Sequence, residues 1–115
     1  MPLPEDPAAF EAAFRAAVAA ILPSATVELA RRTIVMIKMR VELGADRFTD
    51  VFFNARNHRT DLTVIERGRR VLGYDNLGGW HRHPPQSPDA HEECEEPSLE
   101  AFVREAVSLT GTTNG

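Results

Sequence analysis

The chain has 115 residues, a formal net charge of −4, and 43% hydrophobic and 26% charged residues. That length suits one domain with a single core, and the composition is that of an ordinary globular protein. The lone cysteine, Cys94, excludes an internal disulfide and points to a reducing, cytoplasmic setting. No apolar run approaches the roughly 20 residues that span a bilayer and no basic-then-apolar leader opens the chain, so no membrane association is expected.

Residues 1–6, with Pro2, Pro4 and Asp6, read as an extended or frayed lead-in. Asp6 suits an N-cap and Pro7 the first helical position, where a missing N–H costs nothing. A helix over 7–22 follows, its apolar stripe formed by Phe10, Phe14, Val18, Ile21 and Leu22 at helical spacing, and Pro23 ends it. Residues 26–31 favour a strand over a further helical turn. The strongest strand covers 33–43, where Ile37, Met39, Val41 and Leu43 alternate with Lys38, Arg40 and Glu42. Its opening Ile34, Val35 and Met36 are apolar on both faces, which predicts cover by a helix.

Strands over 47–55, 60–66 and 69–74 are separated by turns at Asn57-His58 and Arg67-Gly68. After a glycine- and proline-broken segment, Ser98 reads as the N-cap of a final helix over 98–109 with Leu99, Phe102, Val103, Ala106 and Leu109 as its buried stripe. Residues 110–115 are expected to fray. Strands joined by short turns pair antiparallel, and each helix needs a surface for its stripe. The expected architecture is therefore α+β: one domain over 1–115, with an antiparallel meander of four to five strands spanning 26–76 and both terminal helices packed on it. If the helices share one face, the other is left to carry the arginines. An exposed edge strand and the apolar Phe52 and Phe53 make a homodimer unsurprising.

Charge is unevenly laid out. Residues 31–70 hold ten basic side chains against five acidic ones, whereas 71–115 hold two against eight. A basic sheet face is one expectation, suited to phosphate or an acidic partner; a sheet with ordinary solvated charges is the simpler one.

The segment 77–97 and the strand end before it concentrate the chemistry. His81, His83, His91, Trp80, Tyr74 and Cys94 all fall between positions 74 and 94, on a stretch expected to be an irregular, exposed loop. His81 and His83, two apart on extended chain, point the same way, and with His91 and Cys94 they offer a zinc-compatible set. The glutamates Glu92, Glu93, Glu95 and Glu96 read mainly as a solvated charge run. Without metal, the same residues have the makings of an acid/base centre: His81, His83 and His91 as proton carriers, Asp75 to orient one of them, Arg82 and Arg70 for phosphate, and Tyr74, Trp80 and Asn76 to bind substrate. Structural roles compete with each of these assignments, Asn76 as a strand cap and Trp80 as a core lid among them.

Thr60-Asp61-Leu62-Thr63-Val64-Ile65, Gly68, Val71-Leu72-Gly73-Tyr74-Asp75-Asn76, the histidine-rich segment and Glu96-Pro97-Ser98-Leu99 together resemble the TumE family of small toxin-like proteins. The resemblance covers about 33–109, is carried mainly by Tyr74-Asp75-Asn76 plus the histidines, and does not include the first helix. It implies the toxin half of a toxin–antitoxin pair, a cognate antitoxin as partner and RNA as the usual target, with Tyr74, Asp75, Asn76, His81, His83 and His91 at the matching positions. Where the family pattern has a second His-x-His containing a basic residue, this chain has Ala90-His91-Glu92-Glu93, and those carboxylates would repel phosphate. The alternatives are a non-enzymatic interaction module and a small metal-binding protein with structural histidines.

Overall fold

Asp6 accepts a hydrogen bond from Ala9 N–H at 2.7 Å and Pro7 occupies the first turn, which starts α1 (Pro7–Ile21) where the sequence predicts it. The computed structural model describes residues 3–87 and 89–110. After α1 come β1 (Val27–Arg32), β2 (Met36–Gly44), β3 (Arg47–Asn54), β4 (Arg59–Glu66), β5 (Arg69–Asp75), β6 (His81–His83), β7 (Glu92–Glu93) and α2 (Leu99–Thr110). The strands form one antiparallel sheet whose spatial order equals chain order, and the helices pack on it in an α+β fold. The fraying expected for the C-terminus falls, from residue 111 onward, outside the described residues.

The sheet has seven strands rather than four to five, because the segment expected to be an irregular loop supplies two of its own. Gly78 and Gly79 have φ values of 71° and 111°, a conformation that side chains disfavour, and they turn the chain back along β5. Residues 81–83 then pair with Asp75, Tyr74 and Gly73. Pro84 and Pro85, lacking N–H donors, follow the short strand and do not continue it. The Arg67-Gly68 turn adopts φ values of 52° and 77°, the left-handed pair that joins two strands with the correct twist.

Alternation along the strands separates two faces. On the helix side, Ile37, Met39, Val41, Val51, Phe53, Leu62, Val64 and Leu72 meet Phe10, Phe14, Ala17 and Val18 of α1 and Leu99, Phe102, Val103 and Ala106 of α2. Phe10 stacks on Phe53 with ring centroids 5.1 Å apart, and Phe102 meets Tyr74 edge-on at 6.2 Å. Phe53 is therefore core under α1 rather than a dimer contact. Ser98 caps α2, its hydroxyl accepting from Ala101 N–H at 3.0 Å.

Ile34 corrects another expectation: it is 93% exposed. The chain between β1 and β2 makes a turn in which the Thr33 hydroxyl accepts from Val35 N–H and Met36 N–H. Ile34 projects from that turn with no helix above it.

Phe102 is 1% exposed and bridges α2 to β5. Phe102→Ala is expected to cost about 3–5 kcal/mol, the range for emptying a buried aromatic site, read as a lower urea midpoint at unchanged slope.

Candidate functional site

The helix-free face of the sheet is ordered in cross-strand rows. Lys38, Phe52, Asp61, Asp75, His81 and Glu93 are successive register partners from β2 to β7. The neighbouring row runs Arg40, Asp50, Thr63, Gly73 and His83. Neither row is legible in the sequence, because register depends on turn geometry as well as on alternation.

Four predicted residues come together here. Asp75 Oδ2 lies 2.8 Å from His83 Nε2 across the diagonal between the rows. The His91 ring packs edge-on against His83 at 4.4 Å and against His81 at 6.1 Å. Arg70 joins them through a glycine: a Cβ at Gly73 would sit 3.0 Å from Arg70 Cδ and 3.4 Å from His83 Cδ2. A side chain at position 73 would occupy the space in which the arginine stem approaches the imidazole.

The roles within the cluster are unequal. His83 is 2% exposed while His91 is exposed and His81 partly so, which corrects the expectation of a uniformly exposed set. With Asp75 ionised, Nε2 of His83 is the donor, so in a neutral ring Nδ1 carries the lone pair. That Nδ1 is buried and makes no hydrogen bond among the described residues. An unpaired buried nitrogen is costly and calls for a role or a partner.

Burial pushes the Asp75 carboxyl up, but hydrogen bonds from His83 and from Leu77 N–H outweigh it and hold it below its usual range. Its row neighbour Asp61 goes the other way, raised by burial and by Asp75 against the opposing pull of Arg59. Two adjacent carboxylates thus differ in how readily they ionise. Sequence reasoning missed Asp61 and Gly73 as site residues. Alternation with Leu62 and Leu72 hints at their face, but only the register brings them to Asp75 and His83.

Tyr74, Arg82, Asn76 and Trp80, expected to bind substrate, lie on the helix side, because adjacent strand residues point to opposite faces. Tyr74 Oη donates to Glu105 Oε1 of α2 at 2.5 Å and accepts from Arg82 Nε at 3.1 Å, while Arg82 Nη2 pairs with Glu105 Oε2. Burial and the Glu105 acceptor push the Tyr74 hydroxyl up to about 12, so it stays protonated near neutrality. Asn76 accepts from Thr60 N–H at 2.8 Å and donates to the His58 carbonyl at 2.6 Å, capping the adjoining turn. Trp80 borders a crevice with Leu3, Phe53, Thr60 and Glu96. Arg70 alone of the expected substrate-binding residues stays with the imidazoles.

Cys94 is likewise apart from the proposed zinc set. His81 pairs with Glu93, so alternation sends Cys94 to the helix side, where burial raises its thiol and Arg82 partly opposes the shift. Among the described residues no group of three or more His, Cys, Asp or Glu side chains is arranged to hold a metal ion.

The helix-free face is not a basic surface. Arg40 pairs with Asp50 at 3.0 Å while lying 3.8 Å over the Phe48 ring, and Arg59 pairs with Asp61 at 3.3 Å. Elsewhere Arg47 pairs with Glu66 and Arg32 with Glu11. Much of the excess positive charge of 31–70 is answered by acids that the fold brings alongside.

No family model, curated protein or solved structure matches this chain. Its chemistry is therefore read from its own geometry.

Two outcomes follow. Glu105→Ala leaves the Tyr74 hydroxyl and the Arg82 guanidinium without their shared acceptor and is expected to lower stability by about 1–3 kcal/mol, with the Asp75–His83 contact retained as seen by histidine NMR. Because Asp75 is held below the ordinary carboxylate value, its contribution is present above about pH 4 and lost as pH falls through its folded value. The stability of wild type and Asp75→Asn should accordingly differ near neutrality and converge as the solution is acidified; a constant difference would contradict this.

Proposed function

We propose that the chain is the toxin-like half of a toxin–antitoxin pair and cleaves RNA by acid/base chemistry in which no metal takes part. The observation that carries the reading is the Asp75–His83 pair with its unpaired Nδ1, covered edge-on by the accessible His91. In the proposed reaction one accessible imidazole, His91 or His81, takes the proton of a ribose 2′-hydroxyl as the oxygen attacks phosphorus. The other gives a proton to the departing 5′-oxygen, so the O2′–P bond forms, the P–O5′ bond breaks and a 2′,3′-cyclic phosphate results. Arg70 stabilises the charge gathered on the phosphorane. His83, held by Asp75, positions His91 from below. The resemblance to the TumE family supports the toxin reading and implies an antitoxin, which would silence the protein by covering the helix-free face.

A second reading, a non-enzymatic interaction module with structural histidines, is favoured by the burial of His83 and by the pairing of Arg40 and Arg59. The two part company on a double variant, His81→Ala/His91→Ala, which removes the accessible rings and spares the buried one. The ribonuclease reading expects growth inhibition to disappear and cleavage of single-stranded RNA in the presence of a chelator to fall by about 100-fold or more, at nearly unchanged melting temperature. Undiminished toxicity and cleavage would remove it.

A further inference from the structure

The sheet ends in β1 on one side and β7 on the other. β7 is two residues long, and so short an edge offers little for another chain to pair with. β1 is six residues long and, apart from Val27, exposed throughout. The core stops one strand short of it: Met39 of β2 is fully buried, whereas its register partner Leu29 is 43% exposed. Just past β1, Ile34 is 93% exposed. The outer side of β1 has no partner strand among the described residues, so its backbone donors and acceptors are open to one.

Charge along β1 specifies which strand fits. Lys38 and Arg40, two apart on β2, share the helix-free face. Their register partners on β1 are Arg31 and Glu28. These two share that face although they are an odd number of positions apart, because the bulge between Leu29 and Arg31 inserts Ala30 as an extra residue. Arg31 thus stands across from a like charge, an unfavourable cross-strand pair, and neither Arg31 nor Lys38 has an ion-pair partner among the described residues. Glu28 stands across from Arg40, whose guanidinium is hydrogen-bonded to Asp50 and feels Glu28 only as a weaker attraction through space. On its outer side, then, Arg31 is suited to a carboxylate and Glu28 to a cation.

A second β1 running antiparallel supplies both. With Leu29 opposite Ala30 of the second copy, Glu28 falls opposite Arg31 and Arg31 opposite Glu28, on the same face in both copies. The same register sets Val27 against the stem of Arg32 on the helix side, where Glu11 holds the Arg32 guanidinium, and brings Ile34 level with Ala25. Sliding the strands until Arg31 meets Arg32 would oppose like charges, so one register is favoured over its neighbours.

We propose that two copies of this chain pair antiparallel along β1 about a two-fold axis, joining their sheets into one, with Glu28 of each copy facing Arg31 of the other. The Asp75–His83 pair lies on β5 and β6, toward the opposite edge, so the pairing leaves it open in both copies. The pairing does not depend on the ribonuclease reading.

Sedimentation equilibrium of the full chain tests it, together with amide NMR on dilution. Wild type should sediment at twice the mass of the chain, and the amides of residues 27–32 should shift as it is diluted. Glu28→Arg and Arg31→Glu each place like charges at both contacts and should weaken association by about tenfold or more. An equimolar mixture of the two variants should regain wild-type affinity, since every reversed charge then meets an opposite one. Glu28→Arg/Arg31→Glu within one chain should match wild type for the same reason. A wild type that stays monomeric at NMR concentrations overturns the pairing and leaves the edge to a strand of another protein. A dimer indifferent to both single reversals, or reversals that neither the mixture nor the double variant repairs, overturns it as well.

Discussion

Adjacent residues in a strand point to opposite sides of the sheet, and this constraint governs everything between positions 74 and 83. Tyr74 and Asp75 part company, and so do Arg82 and its neighbours His81 and His83. On the helix side, Tyr74 and Arg82 converge on Glu105, tying the short β6 to α2 through a three-member polar network. On the other side, Asp75 and the imidazoles converge on one another. The same strand pair thus anchors itself with one set of side chains and presents chemistry with the other. A three-residue strand supplies few backbone hydrogen bonds of its own, and the network behind it adds to the pairing with β5 that holds it.

The electrostatics of the helix-free face follow from register. Asp50 faces Arg40, and Asp61 lies beside both Arg59 and Asp75. Such half-exposed pairs add little to stability, since the Coulomb gain is offset by desolvation and lost side-chain freedom. Their effect is to cancel charge along this face.

The burial of His83 changes how the cluster can operate. A ring that is 2% exposed cannot meet a large substrate directly while His91 lies over it. The accessible imidazoles therefore carry the proposed proton exchange, and His83 with Asp75 forms the floor on which they rest. Gly73 belongs to the same floor, because a Cβ there would press on the Arg70 stem at 3.0 Å and touch the His83 ring at 3.4 Å.

Much of this molecule is legible along the chain. Asp6 and Pro7 announce the first helix, Ser98 the last, and the alternation through Ile37, Met39 and Val41 the central strand, because each signal is local: a cap, a fixed φ, a period of two. The gathering of Asp75, His81, His83 and His91 is also foreshadowed, since they lie close in sequence and two of them share a strand face. What the tertiary structure alone decided is long-range. It drew two short strands, His81–His83 and Glu92–Glu93, from the segment expected to be an irregular loop, because runs of two or three residues show too little periodicity to read. It moved Tyr74, Asn76, Trp80, Arg82 and Cys94 away from the imidazoles, because a side chain's face depends on the pairing of its strand. It brought Asp61 and Gly73 to the site and Glu105 behind it, because partners separated by many residues meet only once register and helix packing are set.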